Sequence, residues 1–416
     1  QYGLTKVLSF DMGGTTAKIC LIKNQMPKTA RVFEVARSYR FKKGSGMPIS
    51  IPVIDMVEIG TGGGSLAHVD KLRQIRVGPE SAGSEPGPAC YGRGGVRPAV
   101  TDADLVLGKL DPDNFAGGSM GLSVADAKTA LIETLGQPLD MDAVTAAFGL
   151  AEVVDENMAN AARVHAVENG EDLAEYTMIA FGGAAPLHAA RLCEKLGISR
   201  CLIPKGAGVG SAIGFLRAPF SFEANRSVYM RLSDLSPVTV QGLFAELEAE
   251  ATGFVRSCDA TAAIQAEHKI YMRYVGQGWE IPVNLTAAQA ANPDAETYLK
   301  LFEADYTRLF GRVVDGLDIE ITVWSVNAAT PTATVTQVHP VTELVAAESP
   351  DQRQMFDAAL GHMTTAQVTA RRGLGPGDRV CGPAIITEDE TTIIIPASRR
   401  ATVQNDGTVD IERVPA

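Results

Sequence analysis

Apolar and β-prone residues come in short blocks over the first sixty positions, separated by turn-forming residues. Val7–Phe10, Lys18–Ile22, Ala30–Tyr39 and Ile51–Glu58 predict strands on this pattern. Past position 100 the spacing lengthens to that of helices. One is expected to open at Thr101, with Thr101 as its N-cap, and others over Ser123–Leu135 and Asp142–Glu168. In the last, Ala151, Val154, Met158, Ala161 and His165 fall on one face, an alanine-rich stripe suited to close packing. Tyr176–Phe181 is strand-like again, and a helix from about Leu187 to Leu196 is stopped by Gly197. Arg200–Leu216 predicts a strand followed by a glycine-rich turn.

Beyond a boundary expected near Arg217–Asp234 the character changes. Helices are predicted near Val238–Arg256 and over Tyr298–Phe310, the second ending at Gly311. Strands are predicted at Glu267–Tyr274, Trp279–Val283, Asp318–Val326, Ala366–Ala370, Ala384–Thr387, Thr391–Ile395 and Ala401–Gln404. Val335–Gln352 has mixed polarity and reads as a long surface loop. The expectation is an α/β fold in two domains, residues 1–230 and a β-rich domain over 231–416.

The most chemically suggestive stretch lies between the first two strands. Phe10-Asp11-Met12-Gly13-Gly14-Thr15-Thr16-Ala17-Lys18 is a tight, acidic, glycine-rich hairpin. Gly13 and Gly14 let backbone N–H groups approach a ligand without an intervening Cβ, and successive N–H groups form a nest for an anion such as phosphate. Thr15 and Thr16 add hydroxyls. Asp11 ends its strand in position to hold a hydrated Mg2+, and Lys18 alternates onto the same side as Thr16, within reach of phosphate. The competing reading is a plain hairpin. A second element, Gly182-Gly183-Ala184-Ala185-Pro186 between strand and helix, offers bare backbone against which an adenosine can lie, or else ordinary strand–helix packing.

Other positions carry competing readings. Gly60–Ser65 is either another anion nest or a place where two backbones cross. The surrounding Gly60–Gly95 is too long and too rich in Gly, Pro and Ser for a routine connection. His68 and Asp70, two apart, share a strand face, but a zinc site normally needs a third protein ligand. Cys90 lacks an identifiable base to activate it and reads as structural. Asp102 is either a cap or a cleft residue, and His188 is either packed in the core or part of the cleft. His165 and Glu168 read as a solvent- or domain-facing pair.

Composition narrows the classes. The chain has 416 residues, 45% of them hydrophobic, and a net charge of −12, which argues against nucleic-acid binding or attraction to an anionic membrane. No apolar run approaches the ~20 residues of a membrane span. The six cysteines are scattered with no Cys-x-x-Cys spacing, as in a reducing compartment, so a cytoplasmic location is expected.

The order of the two glycine elements resembles the second lobe of the actin, sugar-kinase and heat-shock-chaperone ATPase fold. More closely, the chain resembles the A-type subunits of the hydantoinase/oxoprolinase family. The resemblance runs through the hairpin, Val53–Ser65, Val77–Gly92, Thr101–Gly108, Ala180–Ala189, Arg273–Gln277 and Gly382–Ile386. It implies that Gly13, Gly14, Thr15, Thr16 and Lys18 face the phosphates of ATP, that Asp11 organises Mg2+, and that Gly182, Gly183 and Ala184 seat adenosine. It raises a cleft role for His188 and puts Asp11 and His188 forward as catalytic candidates. The implied reaction is ATP-dependent phosphorylation of a carbonyl oxygen in a small molecule such as a hydantoin, oxoproline or lactam. A B-type partner subunit then completes hydrolysis. A ketone carboxylase subunit of the acetone or acetophenone type shares this ATPase, and a non-catalytic half-cleft scaffold is the third reading. The resemblance also implies an N-terminal lobe with a first phosphate hairpin, in the same or a separate chain, since only one Asp-x-Gly-Gly-Thr occurs here.

Overall fold

A computed structural model describes residues 1–36, 44–332 and 336–414. Part of the expected strand Ala30–Tyr39 (residues 37–39) and the first residue of the expected loop at 335–352 lie outside the described residues. The chain packs as two compact units, one joining residues 1–214 to 335–416 and the other comprising 215–334. Packing thus divides the chain differently from a single cut at 230. The reason is strand pairing: Arg200–Ile203 pairs antiparallel with Val409–Arg413, which pairs in turn with Arg399–Val403, so the last strands complete the first unit's sheet.

Among the described residues that sheet runs, in spatial order, Val345–Ala346, Asp378–Cys381, Arg399–Val403, Val409–Arg413, Arg200–Ile203, Thr177–Phe181, Lys6–Met12, Ala17–Lys23 and Met26–Pro27. Met56–Ile59 also pairs with Ala17–Lys23. Leu8, Phe10 and Met12 alternate into the core and are fully buried, which fixes the register, because a slip of one residue would expose all three. Lys6–Met12 runs parallel to Thr177–Phe181 with Asp11 opposite Phe181. The carboxyl ends of the two strands therefore emerge side by side.

Helices cover this sheet. The long helix Ala143–Glu168 starts where the Asp142 carboxylate accepts the Thr145 N–H at 2.7 Å. It buries the expected stripe of Ala151, Val154, Met158, Ala161 and His165. Ala185–Leu196 ends at Gly197, whose φ of 72° is left-handed. Val124–Leu131 is capped by Ser123.

The helix Val100–Val106 departs from expectation at its start. Its N-cap position is Ala99, and the Thr101 hydroxyl donates instead to the carbonyl of Gly63 at 2.8 Å. Asp102 replaces it, accepting the N–H groups of Ala99 (2.7 Å), Cys90 (2.7 Å) and Ala89 (3.1 Å) from full burial. The glycine-rich tract after Arg200–Ile203 also differs from the expected turn, because Gly210–Arg217 is helical. The expected loop over 335–352 contains the strand Val345–Ala346 and the start of Asp351–Asp357.

The second unit is a sheet of Ser221–Arg226, Ile319–Ala329, Gln265–Tyr274 and Ile281–Leu285, with Met230–Arg231 on Ile319–Ala329. The helices Pro237–Cys258 and Ala295–Phe310 supply apolar residues to its core. Its centre is Trp324, packed edge-on to Phe244 with its indole N–H on the Val228 carbonyl at 3.0 Å. No helix among the described residues is long and apolar enough to cross a membrane.

Removing the Asp102 carboxylate leaves three N–H groups of a buried loop without an acceptor. Asp102→Ala should therefore lower stability by about 3 kcal/mol, measured by urea unfolding.

Candidate functional site

The hairpin after Lys6–Met12 closes on itself, the Gly13 N–H donating to the Thr16 carbonyl at 3.1 Å. Its outward carbonyls are taken by a second glycine loop, with Gly63 N–H on Gly13 O at 3.0 Å and Gly64 N–H on Gly14 O at 2.7 Å. Gly62 lies so close that a Cβ there would come 2.6 Å from the Gly14 carbonyl carbon and the Thr15 nitrogen. The Gly60–Ser65 stretch is thus a true backbone crossing, and it also lines the space the hairpin faces. A Cβ at Gly13 or Gly14, by contrast, would meet nothing within 4 Å. Their bare faces look onto open volume.

That volume is a cavity of about 800 Å³. Gly13, Gly14 and Thr15 line one side, Gly63 and Gly64 the next, and Gly183 and Ala184 come in from the turn after Thr177–Phe181. The two glycine elements singled out from the sequence therefore meet at one cavity. Thr16 and Lys18 are not on its wall. Lys18 is half-exposed with its ammonium 3.7 Å from Glu58.

Asp11 stands at the strand end beside this turn, its carboxylate accepting the Ser211 hydroxyl at 2.7 Å. Gly182 is indispensable to that arrangement. Its φ is 101°, and a Cβ would fall 2.5 Å from both Asp11 Oδ1 and the Met12 carbonyl oxygen. Gly182 thus serves the close fit of two strand ends. Gly183 and Ala184 are the members of the motif that reach the cavity.

His188 does not reach it. The imidazole is fully buried beneath the wall, with Nδ1 2.8 Å from Asp155 and Nε2 3.2 Å from Asp104. Lys109 closes the group with its ammonium 2.8 Å from Asp104. Burial alone would pull the His188 pKa down, but the carboxylates of Asp104 and Asp155 outweigh it and push it up to about 9. Burial likewise works against an ionised Asp104, yet Lys109 and His188 hold that carboxyl below the usual range. The cluster balances two anions with two cations. Of its members Asp104 lines the cavity.

The sequence reading missed a further wall. Glu388, Asp389, Glu390, Thr391 and Thr392 border the same cavity from the turn after Ala384–Thr387. The Thr391 hydroxyl donates to the Gly183 carbonyl at 2.9 Å, and Arg371 pairs with Glu388 while donating to the carbonyls of Ile203 (3.0 Å) and Gly407 (2.7 Å). The flanking Gly382–Ile386 was a family-like motif, and that was the available signal.

None of His68, Asp70, Cys90 and His165 lines the cavity. Asp70 sits beyond the end of Ser65–Val69 and closes its turn through the N–H groups of Leu72 and Gln74, both at 2.9 Å, and the Arg76 guanidinium, while His68 is exposed. Among the described residues no group of three His, Cys, Asp or Glu side chains is placed to hold a metal ion. Cys90 is buried with its thiol pushed up by burial, and His165 is buried in the long helix rather than facing solvent.

Comparison with known proteins now adds identity to geometry. The hydantoinase/oxoprolinase family model matches residues 1–224, and the model of that family's C-terminal domain matches residues 235–412. The chain belongs to the hydantoinase/oxoprolinase family. Caprolactamase subunit alpha of Pseudomonas jessenii is 30% identical over 99% of this chain and 58% of its own length. The acetophenone carboxylase gamma subunit of Aromatoleum aromaticum is 27% identical over 100% of the chain and 57% of its own. This chain thus spans less than three-fifths of the length of these curated relatives. Among solved structures, the ATP-dependent caprolactamase of Pseudomonas jessenii superposes with a TM-score of 0.76 at 27% identity, covering 99% of this chain and 59% of that one. Nucleotide-free acetone carboxylase gives 0.82 at 24% identity with the same coverage, a likeness of fold.

Two outcomes follow from the geometry. Gly182→Ala should cost about 2 kcal/mol or more in stability and displace Asp11, visible in unfolding curves and in the chemical shifts of the hairpin amides. The His188 pKa is raised from 6.5 to about 9, so its contribution is complete below pH 6.5 and is lost as pH rises through 9. That loss, on the order of 3 kcal/mol, should appear in urea unfolding at a series of pH values. It should be largely absent in His188→Gln.

Proposed function

We propose that this chain activates the carbonyl oxygen of a cyclic amide, a hydantoin, oxoproline or lactam, by ATP-dependent phosphorylation, for hydrolysis with a B-type partner subunit. The observation that carries the reading is the meeting of Gly13–Thr15 and Gly183–Ala184 on one cavity, with open space over the hairpin glycines. Supporting it, the relatives include an ATP-dependent caprolactamase and are named as enzyme subunits. Their greater length also supports a first lobe, with its own hairpin, acting opposite this cavity.

In this reading the Gly14 and Thr15 amides and the Thr15 hydroxyl hold phosphate oxygens, and the helix Ala185–Leu196 presents its N-terminal end to the same volume. Adenosine lies against Gly183 and Ala184, with the Glu388–Thr392 turn beside it. Asp11 is a single half-buried carboxylate next to the hairpin, a donor set that suits a Mg2+ ion keeping most of its waters. When bound, the nucleotide supplies the phosphoryl group that turns an inert carbonyl into one with a leaving group. The chain's own contribution is positioning and charge neutralisation. A ketone carboxylase shares the nucleotide site, with phosphorylation stabilising an enolate instead of creating a leaving group, and the acetophenone carboxylase relative favours that second reading.

Asp11→Asn in the complete enzyme should lower substrate-dependent ADP release by at least about 100-fold while leaving the circular dichroism spectrum and unfolding midpoint unchanged. Substantial turnover by a well-folded variant would overturn the role of Asp11. Gly183→Val adds a Cβ in ordinary contact with the Glu390 carbonyl oxygen at 3.6 Å and two methyls beyond it on the cavity wall. It should weaken ATP binding by at least about tenfold in calorimetry, a loss of roughly 1.4 kcal/mol.

A further inference from the structure

The cavity has a second character away from its glycine loops. Tyr91 and Phe115, their ring centroids 5.9 Å apart, form an apolar wall with Leu110 and Leu187. Set among them is one buried charged side chain, the carboxylate of Asp104, 3% exposed. It lies one helical turn from Thr101 on Val100–Val106, so the two share a face. Thr101 is bonded to Gly63 and Gly63 to the Gly13 carbonyl. An apolar surface with a buried carboxylate set in it therefore adjoins the hairpin assigned to phosphate.

We propose that Asp104 is the specificity residue of this cavity, its carboxylate accepting the ring N–H of a cyclic amide whose carbonyl oxygen faces the hairpin, an inference that rests on the nucleotide reading above. The chemistry of the group selects the ligand. A carboxylate offers about four lone-pair directions. Lys109 occupies one on Oδ1 and His188 one on Oδ2, so each oxygen of this cavity-lining residue keeps acceptor capacity. Its charge is already balanced by those two cations, which removes most of its attraction for a metal ion. What it still seeks is a neutral donor. A lactam, oxoproline or hydantoin carries an N–H next to the carbonyl to be activated, and its ring suits the Tyr91–Phe115 wall. A ketone has no donor there, and seating one would leave a buried acceptor unmet. Sites built around such a bond reject the analogue lacking it by large factors.

The network beneath explains why the acceptor stays put. Asp155 holds the far side of His188, and the two carboxylates keep the imidazole charged, so Asp104 is clamped from behind by donors that cannot turn into acceptors. Asp104 touches substrate in this scheme. His188, Lys109 and Asp155 position it.

The test uses the complete enzyme with its partner subunit and follows ADP release with matched sets of five- to seven-membered compounds: the lactam, its N-methyl derivative and the cyclic ketone. The lactam of at least one ring size should exceed both analogues in kcat/KM by about 100-fold or more. Asp104→Asn, which keeps the shape and one acceptor oxygen, should shrink that gap to less than about tenfold while leaving ATP affinity by calorimetry unchanged. An N-methyl lactam or ketone within about threefold of the lactam at every ring size, or a gap untouched in a folded Asp104→Asn enzyme, would overturn the assignment. ATP binding separates the two levels. Binding with indifference to N-methylation removes only the role of Asp104, whereas absence of ATP binding in the complete enzyme removes the nucleotide reading and this inference together.

Discussion

Contact between bare backbones is the constraint on which the cavity depends. Gly62 lies against Gly14 and Thr15 at a distance that excludes any Cβ, and Gly182 lies as close to Asp11 and Met12. Two pairs of chain segments distant in sequence are thereby held at separations that side chains would forbid. The hairpin cannot flap, because its outward carbonyls are bonded to Gly63 and Gly64. In the proposed reading, phosphate would meet Gly14 and Thr15 amides whose orientation is set before it arrives, and preorganised donors of this kind cost little on binding.

Behind the cavity the structure relies on the opposite device, a concentrated set of charges. Asp104, His188, Lys109 and Asp155 bring together the helices Val100–Val106, Ala143–Glu168 and Ala185–Leu196. A buried cluster of this type contributes little net stability compared with an apolar core, yet removing one member is expensive because it strands the others. Its value here is orientation. The ion cluster ties the three helices together at one point behind the cavity.

Features set by short-range pattern were legible in the chain. The strands flanking Asp11–Lys18 follow from alternation, and Ala143–Glu168 from its stripe. Features settled by distant partners were not. Thr101 has the composition of an N-cap, but the Gly63 carbonyl competes for its hydroxyl. The glycine-rich end of Arg200–Leu216 reads as turn because helix propensity disfavours glycine, yet Gly210–Arg217 folds as a helix, with Gly210 packed where a Cβ would lie 2.8 Å from Phe181. In the site, the two glycine motifs were legible because bare backbone leaves a compositional trace. The Glu388–Thr392 wall was not, since it meets Gly183 through a contact between residues 208 positions apart, and only the neighbouring Gly382–Ile386 motif hinted at it.

The discontinuous first unit also bears on how the protein is made. Arg200–Ile203 meets its neighbour Val409–Arg413 only after residues 215–334 have been synthesised, and those intervening residues form a unit continuous in sequence. During translation the inserted unit has all its own strands before its host does. The host meanwhile carries an unpaired sheet edge at Arg200–Ile203, the kind of edge that invites pairing with another chain. The buried Arg399, whose guanidinium reaches the carbonyls of Ile198 and Ser199 next to that edge, then joins the late-arriving strands to the segment that has waited for them.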